Sequence, residues 1–226
     1  MSGPVSLVAL RSLPIFEALS DARLAPITKV ATLRQVVRNV EVLRAGDHTD
    51  NVYFVLTGAL KVLVGDDDGR EVILSMLGPG DFFGEMGVID DHPRSATVAT
   101  VETSSLIVLT RSDFERCLTD NVDVSLYIMR SLVQRLRKAD RNIESLALLD
   151  VYGRVARLLL DMAEVREDGK RVVTQKITKQ DIARMVGASR EMVSRVMRDL
   201  QLQGLIEETD GVIYLHGDMG DSTPAA

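Results

Sequence analysis

Between residues 32 and 110 the apolar residues of this 226-residue chain come in short runs separated by Gly- and Asp-rich turns, and after residue 110 their spacing becomes helical. The first texture is VEVL, AGD, VYFVL, TG, ALKVLV, GDDDG, EVILSML, GPGD, SATVATV and SSLIVL. Runs of four to seven β-branched and aliphatic residues with regular turn signals predict an all-β sandwich or barrel. Asp66 to Gly69 suits a hairpin turn between ALKVLV and EVILSML. Residues 1–11 carry no clear pattern, and Ser20-Asp21 reads as a helix start ahead of Leu24 and Ile27.

Ser112 to Cys117 reads as a short helix start, and a long helical pattern follows from Val122 to Leu149. Its apolar positions are Met129, Leu132, Leu136, Ala139, Ile143 and Leu146, at a mean step of 3.4 residues. Arg130, Arg135, Arg137, Lys138, Arg141 and Glu144 flank them. Two arrangements satisfy this pattern. The helix can lie on its own β domain, or it can form a parallel dimeric coiled coil; the length and the charged flanks favour the dimer.

Val151 to Glu164 reads as another helix, with Val155, Leu158, Leu159 and Met162 on one face, and Asp168-Gly169 as a turn. Residues 177–204 then read as two helices broken at Gly187-Ala188-Ser189, followed by the strands LIEE and VIYLH around Thr209-Asp210-Gly211. A helix, a helix pair and a β hairpin make a winged helix. Thr178 is placed to cap the first helix of the pair, with Asp181 as its box partner. Gly187 suits a left-handed C-terminus, and Ser189 caps the second helix. Val193, Val196 and Leu200 form the buried stripe of that helix, which leaves Arg190, Glu191, Ser194, Arg195 and Arg198 outside. Residues at the N-terminal end of a recognition helix reach base edges in the major groove. There Arg bonds both guanine acceptors and Glu accepts from cytosine N4.

The net charge of −6 argues against nucleic acid when taken whole. Its distribution reverses that reading. Residues 174–204 hold six Lys+Arg against three Asp+Glu, while residues 1–119 and 205–226 each carry −5. The single Cys117 excludes a disulfide framework, a Cys-rich zinc module and an iron–sulfur cluster. His48, His92 and His216 are scattered, which argues against haem and against a cupin-like metalloenzyme. No Ser lies in a G-x-S-x-G elbow, so a Ser-His-Asp hydrolase has no support. No apolar run approaches the ~18 residues of a membrane span, and the N-terminus lacks the features of a signal peptide, so the expected compartment is the cytoplasm.

The densest remaining segment is GPGDFFGEMGVIDDHPRSATV, residues 78–98. Gly84 would let backbone N–H groups approach an anion, and Glu85 could accept from a ribose hydroxyl. Arg94 offers a two-pronged grip on phosphate, and Ser95 adds a hydroxyl donor. By composition alone, a surface loop with a structural Arg fits these residues as well. With this segment, the chain resembles the bacterial catabolite-activator and fumarate–nitrate regulator (Crp–Fnr) superfamily over about residues 12 to 216. The similar segments are LPIFEALS, FGEMGVIDDHPRSATV, LALLDVYGRVARLLL and ITKQDIARMVGASREMVSRVMRDL.

The resemblance implies an α+β protein. A β-roll sensor of jelly-roll type (a double-stranded β-helix) spans 12–119 and binds a cyclic nucleotide. A dimerisation helix and hinge span 120–150, a winged helix-turn-helix spans 151–216, and a disordered tail spans 217–226. It implies a regulator, not an enzyme, with double-stranded DNA, a second copy of the chain and RNA polymerase as partners and with no membrane. Gly84 and Glu85 would take the ribose side, Arg94 and Ser95 the cyclic phosphate, and Met86 would also bind the ligand. Arg135, Ala139 and Asp140 would approach the ligand from the long helix. Arg190, Glu191, Ser194 and Arg195 would read a palindrome whose half resembles TGTGA, with Thr178, Lys179 and Ser189 on phosphates.

The chain departs from the family at Ala139 and Asp140, where the catabolite activators carry two hydroxyl residues that meet adenine. Asp140 accepts from two donors, and guanine offers two on its Watson–Crick edge. The effector is therefore cyclic AMP by resemblance, or cyclic GMP or cyclic di-GMP by this departure. Pairing of Asp140 with Arg137 or Arg141 explains the residue equally well. A regulator that binds no small molecule is the remaining alternative.

Overall fold

The structure is a computed structural model that describes residues 2–48, 50–66, 68–175, 177–209 and 211–216. The chain divides into two compact units, the first running to Arg135 and the second starting at Leu136. The expected tail at 217–226 and the tip residues Asp67 and Asp210 lie outside the described residues.

The first unit opens with β1 (Ser2–Pro4), α1 (Leu7–Arg11) and α2 (Asp21–Val30). The strands β2 (Thr32–Val36), β3 (Glu41–Leu43), β4 (Asn51–Thr57), β5 (Leu60–Gly65), β6 (Glu71–Leu77) and β7 (Phe82–Phe83) follow. Then come α3 (Met86–Ile89), β8 (Thr97–Thr100), β9 (Ser104–Thr110), α4 (Arg111–Asp120) and the 27-residue α5 (Val122–Leu148). The strands form two antiparallel sheets, ordered β1-β2-β9-β4-β7 and β3-β8-β5-β6. The run-and-turn texture led to a sandwich or barrel, and the two sheets are those of the β roll that the resemblance implies.

The period of two lets β4, beside the middle strand β9, serve two cores. Val52 and Phe54 point into a core shared with α1, α2, α4 and the start of α5, while Tyr53 and Val55 point into a second core with Leu60, Val98 and Leu106. Phe54 has Phe16, Phe82 and Phe114 around it, with ring centroids at 5.4, 6.3 and 6.4 Å. At the β5–β6 turn Asp66 Oδ1 accepts from the N–H groups of Asp68 and Arg70, at 3.1 and 2.9 Å.

Two parts of the first unit differ from the sequence reading. Residues 2–11, which carry no periodic signal, form β1 and α1. β1 is three residues long, and its order comes from pairing Ser2, Gly3 and Pro4 with Arg34, Leu33 and Thr32 of β2. The helix α5 lies on its own β domain over its first part only. Val124 and Ile128 are buried in the first unit's core, with Tyr127 and Leu132 packed against it. Met129, Val133, Leu136, Ile143 and Leu146 are exposed.

The second unit carries the end of α5, then α6 (Val151–Met162), β10 (Glu164–Val165), β11 (Arg171–Val173), α7 (Lys179–Val186), α8 (Arg190–Leu202), β12 (Ile206–Thr209) and β13 (Val212–Leu215). The sheet order is β10-β11-β13-β12. The three helices and the sheet enclose one core that includes Val155, Leu159, Ile182, Val186, Val193 and Leu200. The hairpin β10–β11 is additional to the winged helix read from the sequence. Strands of two and three residues are too short to show a period. β11 is held by pairing with β13, through Arg171 to Leu215 and Val173 to Ile213.

Phe54→Ala is expected to cost the first unit about 3–5 kcal/mol, because it empties a fully buried ring site among three other rings. Denaturant unfolding should show this loss in the first unit's transition. A shift below ~1 kcal/mol would place Phe54 outside the effective core.

Candidate functional site

β7 ends at Phe83 and delivers Gly84 with φ at +83°, a conformation that a side chain disfavours. A Cβ there would lie 3.0 Å from Arg94 Nη1 and 3.1 Å from the Asn51 carbonyl oxygen. The glycine therefore lets the β7–α3 corner close onto Arg94. The Arg94 guanidinium is only 6% exposed. It donates through Nη1 to the Gly84 carbonyl and through Nη2 to the Asn51 carbonyl at 2.7 Å. Burial pushes Arg94 below its ordinary pKa, opposed by Tyr53 and Glu85. An Arg stays cationic even so.

Glu85 is 2% exposed, and its Oε1 accepts from Arg135 Nη1 at 2.9 Å. Arg135 also donates through Nη2 to the Phe82 carbonyl at 2.5 Å and stacks 4.6 Å from the Phe82 ring centroid. Burial pushes the Glu85 carboxyl above its ordinary range, against the lowering effects of Arg135, its own backbone N–H and Arg94. Behind this layer Arg111 braces α3. It donates to the Gly87 carbonyl at 3.1 Å and lies 2.9 Å from Asp91 Oδ1.

These residues surround a cavity of about 200 Å³. Gly84, Glu85, Met86, Arg94, Ser95 and Arg135 all line it. Leu43, Val62, Leu74, Leu77 and Val98 supply an apolar wall. The sequence reading missed these wall residues, because they come from strands far apart in the chain and carry no local motif. Ala139 and Asp140 follow Arg135 on α5, belong to the second unit, and are exposed. A buried cation, a buried carboxylate and an apolar wall around one cavity suit a ligand that is anionic at one point, hydroxylated at another and otherwise flat and apolar.

In the second unit the helix pair has the expected caps. Thr178 Oγ1 accepts from Asp181 N–H at 3.1 Å, and Asp181 Oδ2 accepts from Thr178 N–H at 3.3 Å. Gly187 closes α7 at φ +64°. Ser189 Oγ accepts from Met192 N–H at 3.2 Å and opens α8. Val193, Val196, Met197 and Leu200 are buried. Arg190, Glu191, Arg195 and Arg198 are exposed, as are Thr178, Lys179 and Ser189, while Ser194 is half-buried. Among the described residues no hydrogen bond or ion pair engages the side chains of Arg190, Glu191, Arg195 or Arg198. This outer face can therefore donate to or accept from a partner without first breaking internal contacts. Arg154 of α6 fixes the scaffold beneath, donating to the Val186 carbonyl at the end of α7 and to the Leu149 carbonyl after α5, both at 2.9 Å.

Among the described residues no helix is long and apolar enough to cross a membrane, and no three His, Cys, Asp or Glu side chains gather into a metal-binding group.

Residues 33–121 match the family model of the cyclic nucleotide-binding domain, and residues 153–217 match the Crp-like helix-turn-helix domain. The chain is 36% identical over 193 residues to the cAMP-activated global transcriptional regulator Vfr of Pseudomonas aeruginosa, covering 81% of this chain and 89% of that one. It is 35% identical over 181 residues to the cAMP-activated global transcriptional regulator CRP of Pasteurella multocida, covering 77% and 85%. The structure resembles that of the c-di-GMP responsive global regulator CLP of Xanthomonas campestris, with a TM-score of 0.72, 28% identity, and coverage of 88% of this chain and 100% of that one. These relatives are transcriptional regulators, not enzymes.

Proposed function

We propose, from the premise that the chain belongs to the Crp–Fnr family of cyclic-nucleotide-responsive transcription regulators, that it is a cytoplasmic homodimer that reads a TGTGA-like palindrome under control of a nucleotide in the β roll. The observation that carries the ligand half of this reading is that buried Arg94 and buried Glu85 line one cavity. Arg94 and Ser95 take the phosphate, Gly84 and Glu85 the ribose side, and Met86 with the apolar wall the base. A ribose hydroxyl that donates to Glu85 competes with Arg135 for the same carboxylate. Arg135 stands at the middle of α5, so the exchange alters how that helix is held there.

The dimer forms along α5, where Met129, Leu136, Ile143 and Leu146 are exposed at coiled-coil spacing. Ligand then shifts a two-state equilibrium by its differential affinity for the two states. Movement at the hinge near Asp150 sets two α8 helices about one DNA turn apart, ~34 Å. Arg190, Glu191, Ser194 and Arg195 read bases, and Thr178, Lys179 and Ser189 hold phosphates. RNA polymerase is the partner that converts binding into regulation. The functional division is a sensor at 12–119, a dimerisation helix at 120–150 and a reader at 151–216.

Ala139 and Asp140 favour a second reading of the effector. Asp140 can accept both donors of a guanine edge, so cyclic GMP or cyclic di-GMP replaces cyclic AMP. The relatives are named for each side of this choice, as cAMP-activated and as c-di-GMP responsive.

The deciding experiment is DNA binding to a TGTGA palindrome with cyclic AMP, cyclic GMP or cyclic di-GMP added in turn. One nucleotide is expected to change the affinity of the wild type, and Arg94→Ala is expected to abolish that response while leaving basal binding intact. A normal response in Arg94→Ala would refute the pocket assignment. Tight cyclic AMP binding that survives Asp140→Ala would remove the guanine reading.

Nucleotide affinity should also depend on pH through Glu85. Burial raises its pKa, so the carboxylate acceptor is lost as pH falls at a pH above the ordinary carboxylate range. Titrations on the acid side should therefore show affinity falling for the wild type but flat, and lower at neutral pH, for Glu85→Gln. An equal acid-side fall in both proteins would assign the dependence to another group.

Arg190→Ala should cost about 1–3 kcal/mol on the cognate duplex and relax preference at one guanine. Equal losses on all sequences would instead make Arg190 a phosphate contact.

A further inference from the structure

The residues of α8 fall into two evident sets. Val193, Val196, Met197 and Leu200 are buried, and Arg190, Glu191, Arg195 and Arg198 form a charged outer face. Met192 belongs to neither. Met192 is 38% exposed and stands in the first turn of α8. The part of its apolar surface left in water gains nothing from folding. Its backbone is nonetheless held by the bond from its N–H to Ser189 Oγ. Ser189 and Arg195, three residues away on either side, are its neighbours along the helix surface.

Resting on the reading of α8 as the helix that enters the major groove, we infer that Met192 contacts the C5-methyl of a thymine and selects that base. First-turn residues of such a helix reach base edges. Thymine presents a methyl group in the major groove beside its O4 acceptor, and the other three bases present none. Arg190, Glu191 and Arg195 meet base edges chiefly through their polar ends. Met192 has no hydrogen-bond donor and only a weak sulfur acceptor, so apolar contact is the recognition it can offer. Its unbranched thioether can adapt to the exact position of the methyl, whereas a β-branched residue at the same place could not. The helix thus combines polar readers of G·C pairs with one apolar reader of an A·T pair.

The test begins with duplexes enriched from a random-sequence pool by the full-length wild-type chain, with cyclic AMP, cyclic GMP and cyclic di-GMP each present in turn. No target sequence is then assumed. Each thymine of the enriched site is replaced singly by deoxyuridine, which lacks only the methyl. One thymine per half-site is expected to show a loss of about three- to tenfold in wild-type affinity, the size of one methyl group withdrawn from water. That loss should vanish in Met192→Ala and persist in Met192→Leu. Met192→Gln, similar in length but polar at its tip, should behave as the alanine variant does and guards against a folding defect in it. A site insensitive to every thymine methyl, or a methyl penalty that persists undiminished in the Ala and Gln variants, overturns the assignment while leaving α8 as the reader. A wild-type chain that enriches no sequence under any nucleotide overturns the reading of α8 itself, and the thymine contact with it.

Discussion

Glu85 is the point at which the sensor's chemistry and its framework meet. A carboxylate removed from water is costly unless a cation and hydrogen-bond donors replace its hydration. Here Arg135 supplies the cation, and Phe82 holds Arg135 through its carbonyl and its ring. Three elements are thereby tied together: β7, the start of α3 and the middle of α5. Gly84 makes the arrangement sterically feasible, because a side chain at that corner would meet Arg94 and the Asn51 carbonyl. Removing one partner of such a pair leaves an uncompensated buried charge, which is worth more than the pair's own net stability. A ligand that offers Glu85 a hydroxyl donor therefore acts on a strongly constrained contact, and its effect on α5 follows from that constraint.

The reader is built on the opposite principle. Its interior fixes α8 by caps and a complete apolar stripe, and Arg154 anchors the carbonyls that end α7 and follow α5. Its outer face is left without internal partners among the described residues. On binding, such a helix orders its outer side chains but neither its backbone scaffold nor any ion pair has to be rebuilt. Met192 extends this logic from charge to shape. The acidic total of the chain is no obstacle, because the negative charge belongs to the sensor and the C-terminal segment, whereas residues 174–204 are basic.

Much of the candidate site was legible because its polar members are close in sequence. Gly84, Glu85, Met86, Arg94 and Ser95 fall within twelve residues, so their types and order form a readable pattern. Arg135 is 50 residues from Glu85 and entered the sequence reading only through family resemblance. Leu43, Val62 and Leu74 are ordinary strand residues, indistinguishable in sequence from core positions such as Val55. The short strands β1, β10 and β11 escaped for a related reason. A strand of two or three residues has no measurable period and is ordered by its partner, as β11 is by β13.

By itself the sequence determined the elements whose causes are local. The turn residues separated the strands of the roll, the heptad step marked α5, and Thr178, Gly187 and Ser189 bounded the helix pair. Each of these acts through a neighbour within four residues, so composition and spacing suffice to specify it. The tertiary structure alone decided which side chains share a cavity, that Arg94 and Glu85 are buried while Ser95 is not, and that Met192 is exposed. Those outcomes depend on long-range strand pairing and on the packing of α5 against the sheets, where burial sets charge, contact and accessibility together.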